Sequence, residues 1–149
     1  MRGDVDLIFE HPSGGRLYQS GFQAVPDDLT TLGVSLLVVA TEKYQRHPSH
    51  ENVVLTLFPD EEGLPNWRWA QIERMVVPAV ATMVAALEAG EGVLAVCRAG
   101  INRSSLLTGL ALNAVSGLRP QQVVELIRAR HDPGCLRNED FESVVLYGF

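Results

Sequence analysis

At 149 residues, with 46% hydrophobic and 20% charged side chains, the chain suits one compact domain that buries a core without disulfide or metal staples, and its composition excludes a disordered segment or a membrane protein. Twelve basic against eighteen acidic residues leave a net charge of −6, which argues against broad binding to nucleic acid through its phosphates, so any anion site must be local. Two cysteines, Cys97 and Cys135, are too few for a disulfide scaffold and form no CxxC pair, so both are expected as free thiols.

In chain order, Asp4 and Asp6 fall where a signal peptide needs a basic segment and then an apolar stretch, which predicts a cytoplasmic protein. Asp6–Phe9 and Arg16–Gln19 read as short strands around the Pro12-Ser13-Gly14-Gly15 turn, and Pro26–Leu32 as a short helix with Pro26 in its first turn. Val34–Ala40 and Asn52–Phe58 read as strands, the first so uniformly apolar that it belongs near the middle of a sheet. A long helix starts near Asn66, with Ile72, Met75, Val76, Val80, Met83 and Leu87 on one face, and Gly90 and Gly92 end it. Its most apolar stretch, Met75–Leu87, is interrupted by Pro78 and falls short of the ~20 residues a bilayer needs, so no membrane contact is expected.

Val93–Val96 is a buried strand by the same criterion, and Arg103–Val115 is a helix with Leu106, Leu107, Leu110 and Ala114 at helical spacing. Pro120–Arg130 is a further helix with Val123, Val124 and Ile127 inward, and Asn138 caps a last one ending near Leu146. Strands alternating with helices give an α/β domain spanning 1–149, with a central, mostly parallel sheet of four to five strands flanked by helices.

Between the fifth strand and its helix lies Val96-Cys97-Arg98-Ala99-Gly100-Ile101-Asn102-Arg103-Ser104. A loop joining a buried strand to a helix turns successive backbone N–H groups inward, and the helix N-terminus adds its positive end, so residues 98–102 form a nest for an anion. Gly100 permits the tight backbone, and Arg103 presents two parallel N–H donors to phosphate oxygens, a geometry lysine does not reproduce. A thiol at a helix N-terminus beside arginine is held as thiolate near neutral pH, which makes Cys97 a nucleophile. Attack on phosphorus gives a phosphocysteine, and Ser104 is placed to donate a hydrogen bond to the departing sulfur. A lone cysteine is ordinarily a core residue. Here Cys, Gly, Arg and Ser fall together at a strand-to-helix junction.

At these residues the chain resembles the dual-specificity branch of the protein tyrosine phosphatases, whose signature is HCxxGxxRS. Arg16–Gly21 resembles the family's opening strand and turn, and Leu29–Ala40 its L…GVxxVV segment. Leu118–Arg130 and Asn138–Phe141 resemble its C-terminal helices. The resemblance implies a phosphatase-type strand–loop–helix active site acting on phosphorylated protein or peptide. Substrates are phosphotyrosine, with phosphoserine or phosphothreonine besides, and phosphate, sulfate or vanadate are site ligands. It also admits phosphoinositides or the 5′-phosphates of RNA, the latter disfavoured by the acidic charge. Val96 stands where the family has a histidine understood to support the loop and keep the thiol acidic. A phosphate-binding module with little turnover is therefore the alternative from another class.

The family draws its general acid from an aspartate some thirty-odd residues before the cysteine. Here the matching segment is Phe58-Pro59-Asp60-Glu61-Glu62-Gly63-Leu64-Pro65, with Asp60 and Glu62 lying 37 and 35 residues before Cys97. Residue type and place after the strand favour Asp60, with Glu62 the alternative. His11, His47, His50 and His131 show no metal-ligand spacing, so neither metal nor other cofactor is expected, and His47-Pro48-Ser49-His50 reads as a surface loop. Trp67 and Trp69 start the long helix on different faces, one for the core and one available to the pocket mouth. Arg98 points outward or toward the loop, serving substrate attraction or solvation.

Overall fold

The computed structural model describes residues 4–41 and 50–149. Along them run β1 (Asp6–Glu10), β2 (Arg16–Gly21), β3 (Val34–Ala40), β4 (Val53–Leu55), α1 (Asn66–Glu88), β5 (Gly92–Cys97), α2 (Arg103–Val115), α3 (Pro120–Arg130) and α4 (Glu139–Tyr147). The five strands form one sheet in the order β1-β2-β5-β3-β4. All neighbours run parallel except β1, which returns antiparallel along the β2 edge.

β5 is buried at every position because it lies between two parallel strands in a sheet covered on both faces, where alternation of polar and apolar residues has no purpose. The larger cluster draws on all four helices and includes Leu17, Val38, Ile72, Met83, Val93, Leu106, Ile127 and Phe141. On the opposite face the segment after β2 covers a smaller cluster of Tyr18, Leu29, Val34, Leu37, Val39, Leu94 and Val96. Cys97 pairs in register with Gly21 of β2 and Ala40 of β3, so three strands end level and the loop after β5 emerges at their carboxyl ends. In parallel α/β sheets that is where ligands bind.

Three elements differ from expectation. The helix over Pro26–Leu32 is reduced to one 3-10 turn, Leu29–Leu32. Asp28 accepts from the Thr30 backbone N–H at 3.0 Å and the Thr30 hydroxyl at 2.6 Å, so the turn starts after Asp28 and leaves Pro26 outside it. The Thr30 hydroxyl and then its backbone N–H also hold the Asp28 carboxyl below its ordinary range. β4 stops at Leu55 rather than Phe58, because the chain leaves the sheet to bury the Phe58 ring edge-on against Phe141, centroids 5.8 Å apart. On α2, Ala114 is exposed, and the buried surface is instead completed by Ser104, Ser105, Thr108, Gly109, Ala111 and Leu112.

α1 spans 23 residues and is long and apolar enough to cross a membrane by length and composition. Here its inward stripe of Ile72, Val76, Ala79, Met83 and Leu87 is spent on the core.

Candidate active site

Local geometry after β5 is set by Gly100, whose φ of 73° lies in the left-handed region. A Cβ there would meet the Gly21 backbone nitrogen at 2.6 Å and the Ser20 carbonyl carbon at 2.7 Å, so only glycine lets the loop press against the end of β2. The loop carbonyls are engaged on the outside. Arg98 O accepts from the Phe22 N–H at 3.3 Å and Ile101 O from the Leu136 N–H at 3.1 Å, while Asn102 O takes the Leu106 N–H at 2.9 Å as the bond that opens α2. In a trans peptide the next N–H points away from the carbonyl, so the N–H groups of Ala99 and Asn102 point away from Phe22 and Leu136, the orientation a nest uses. Leu136 itself sits at φ 60°, an uncommon backbone state for leucine, while its N–H holds Ile101.

Cys97, 3% exposed, ends β5, and its Sγ lies 3.3 Å from the Ser104 hydroxyl in the first turn of α2. The thiol donates to that oxygen; as a thiolate the sulfur accepts from the hydroxyl instead. Asn102 precedes α2 without capping it through its side chain, which leaves the helix N-terminus open to an anion. The Arg103 Nη1 reaches the Phe58 carbonyl at 3.4 Å, and its buried Nε has no partner among the described residues. A buried guanidinium donor left unused is costly unless a ligand completes it.

Beneath the loop, Gln19 of β2 is wholly buried. Its Nε2 lies 3.0 Å from the Gly100 carbonyl, 3.2 Å from the Ser104 hydroxyl and 2.7 Å from the Ser105 hydroxyl, tying strand, loop and helix together. Cys135, also buried, brings its Sγ to 3.9 Å from the same carbonyl. Burial pushes the Cys135 thiol above its ordinary value, and a hydrogen bond with Ser105 only partly offsets this.

The two acidic candidates occupy different places. Asp60 meets the loop directly: Asn102 Nδ2 donates to one carboxylate oxygen at 3.0 Å and Asn138 Nδ2 to the other at 2.9 Å. The Asn138 backbone N–H donates in turn to Asn102 Oδ1 at 3.0 Å, closing a ring of three residues. Glu62 instead accepts from the Glu139 N–H at 2.6 Å, at the N-terminus of α4. Asn138 was expected as the α4 cap, and it accepts there from the N–H groups of Asp140 and Phe141.

Arg98 and Ala99 are exposed on the loop's outer surface, and Arg98 lines a cleft of about 260 Å³ with Phe22, Gln23 and Thr41. A cavity of about 510 Å³ lies at the other, amino ends of the strands, by Leu36, Asn52, Ala86 and Glu91, remote from the thiol. Trp67 is exposed, whereas Trp69 packs edge-on to Phe141 at 5.9 Å. His47 lies outside the described residues, and His50 is buried rather than on a surface loop, its Nε2 3.1 Å from the Pro26 carbonyl. Sequence reasoning missed Gln19, Ser105 and the link from Asn138 to Asp60. The one available signal was the polar Gln19-Ser20 pair that follows Leu17 and Tyr18 in β2.

No protein-family model and no curated protein matches the chain. Solved structures do. A mouse putative dual specificity phosphatase, complexed with zinc tungstate, aligns with a TM-score of 0.75 at 16% identity, over 98% of this chain and 88% of its own. Human DUSP28 aligns with a TM-score of 0.75 at 17% identity over 95% and 92%. Human tyrosine phosphatase-like serine/threonine/tyrosine-interacting protein aligns with a TM-score of 0.70 at 14% identity over 97% and 94%. These likenesses extend over nearly the whole chain, which has the dual-specificity phosphatase fold.

Proposed function

We propose that the chain is a cysteine-dependent phosphatase that hydrolyses phosphate monoesters, phosphotyrosine first and phosphoserine or phosphothreonine besides, through a phosphocysteine. The observation that carries this reading is the convergence on one loop of Cys97 Sγ, the Ser104 hydroxyl 3.3 Å away and the buried Nε of Arg103, which has no partner among the described residues. Tungstate, named with the similar mouse structure, is a tetrahedral oxyanion like phosphate and fits the same kind of cup.

In this mechanism the Cys97 thiolate attacks phosphorus while the bond to the ester oxygen breaks. The backbone nest and Arg103 hold the three equatorial oxygens as charge spreads over them. Protonated Asp60 gives its proton to the departing oxygen. Water then attacks the phosphocysteine, the Asp60 carboxylate takes a proton from it, and sulfur leaves as a thiolate accepting the Ser104 hydrogen bond. Phosphate departs and the enzyme is regenerated, with no metal ion in the cycle.

The second reading is a phosphate-binding module, favoured by Val96 in place of histidine and by the engagement of both Asp60 oxygens by amides. Hydrolysis of an aryl phosphate by the wild type and Cys97→Ser, without added metal, separates the two. Turnover abolished by the substitution supports the phosphatase; phosphate bound by a wild type that never turns over supports the module.

A further inference from the structure

Behind the loop lies a part-buried pair that the chemistry above does not use. His131, at the C-terminal end of α3, is 4% exposed, and its Nδ1 lies 2.7 Å from Asp6 Oδ2 of β1. An aspartate at that distance accepts from Nδ1–H and fixes the orientation of the ring. The other nitrogen, Nε2, is buried with no hydrogen-bond partner among the described residues. It stands 3.0 Å from the position a Cβ on Gly100 would occupy. The order in space is therefore carboxylate, imidazole, Gly100, with Nε2 turned toward the loop.

Among the described residues, the elements meeting here bring these other titratable and charged groups. β1 contributes Asp6, and the end of β2 brings only the neutral Gln19, Ser20 and Gly21. The loop and the start of α2 carry Cys97, Arg98 and Arg103. From α3, Arg128 is engaged with Glu142 at 2.7 Å and Arg130 is exposed, and the turn that follows holds Asp132 and Cys135. Val96, by contrast, is buried in the smaller apolar cluster on the other face of the sheet, so it supplies no polar support to the loop.

We propose that His131, oriented by Asp6, is a positioning residue whose imidazolium stands behind Gly100 and couples oxyanion binding in the Cys97 loop to its own protonation. The inference rests on that loop being an anion site. It assigns to the α3–α4 connection the electrostatic support that a histidine before the cysteine would give. Linkage is reciprocal: if a bound dianion favours the charged ring, the charged ring binds the dianion more tightly by the same factor.

Sulfate is a suitable probe because it stays a dianion across the histidine range. The His131 titration midpoint is measured by NMR on the wild-type protein, with saturating sulfate and with chloride at equal ionic strength. In parallel, sulfate protection of Cys97 from iodoacetamide is followed by peptide mapping. The midpoint should rise by about 0.7 unit in sulfate, equivalent to about fivefold tighter binding by the protonated form. His131→Gln should lose that advantage at pH 5.5 and match the wild type at pH 8. A purely structural histidine would affect folding stability and leave the sulfate-dependent shift at zero. Protection of Cys97 with an unmoved midpoint overturns this inference alone; no protection in the wild type overturns it together with the phosphatase reading.

Discussion

The two segments that meet above Cys97 are held in different ways. The 98–102 loop is anchored from below and from the side: Gln19 and Cys135 approach the Gly100 carbonyl, Leu136 holds Ile101, and Asn138 holds Asn102. Gly100 and Asn102 are buried. By contrast Asp60, Glu61, Glu62 and Gly63 are all exposed, and their hydrogen bonds to the rest of the chain run through Asn102, Asn138, Glu139 and Asp140. A loop built this way is preorganised for the anion proposed to bind it, whereas the placement of Asp60, the proposed acid, depends on a few polar contacts at its rim. The contrast suits a reaction in which phosphate must be gripped throughout and the acid must donate, accept and let product leave.

Removing the acid is the strongest test of the exposed segment. Asp60→Asn should lower turnover of an alkyl phosphate, a poor leaving group, by about 10²–10⁴, with little effect on an activated aryl phosphate and a flattened alkaline limb in the pH profile. The same pattern from Glu62→Gln, with Asp60→Asn unaffected, would move the acid by two residues. For the anchored segment, Arg103→Lys keeps the charge but loses the planar fork, and kcat/KM should fall by about 10²–10³ for every leaving group alike. Dependence on the leaving group thus tells the two segments apart.

The smallest effect belongs to the link between them. Asn138→Ala removes the α4 cap, costing about 1 kcal/mol of stability, and frees one Asp60 oxygen. A thermal melt should register the first loss. Activity should fall by about tenfold, more on poor leaving groups than on good ones. A uniform fall would mean that Asn138 acts on the loop through Asn102 rather than on Asp60.

Much of this architecture can be read along the chain. Val34–Ala40, Arg103–Val115 and Pro120–Arg130 have their expected boundaries, because each apolar run meets a glycine, a proline or the loop at its end. Where expectation failed, a single side chain decided: Asp28 capped a turn later than Pro26 implied, and Phe58 left the sheet for the core. At the site, the spacing from Cys97 to Ser104 is local and therefore legible. Gln19 and Asn138 are not, since reaching Ser104 and Asp60 depends on how β2 lies beside β5 and how α4 packs, which no periodicity encodes.

The central claim is that phosphate passes through the Cys97 sulfur. Its most direct test is a rapid acid quench of the wild-type protein turning over an aryl phosphate, followed by peptide mapping for covalent phosphate. Phosphate on the peptide carrying Cys97, abolished by Cys97→Ser, is the predicted result; sustained turnover with phosphate on Ser104, or on no residue, would contradict it.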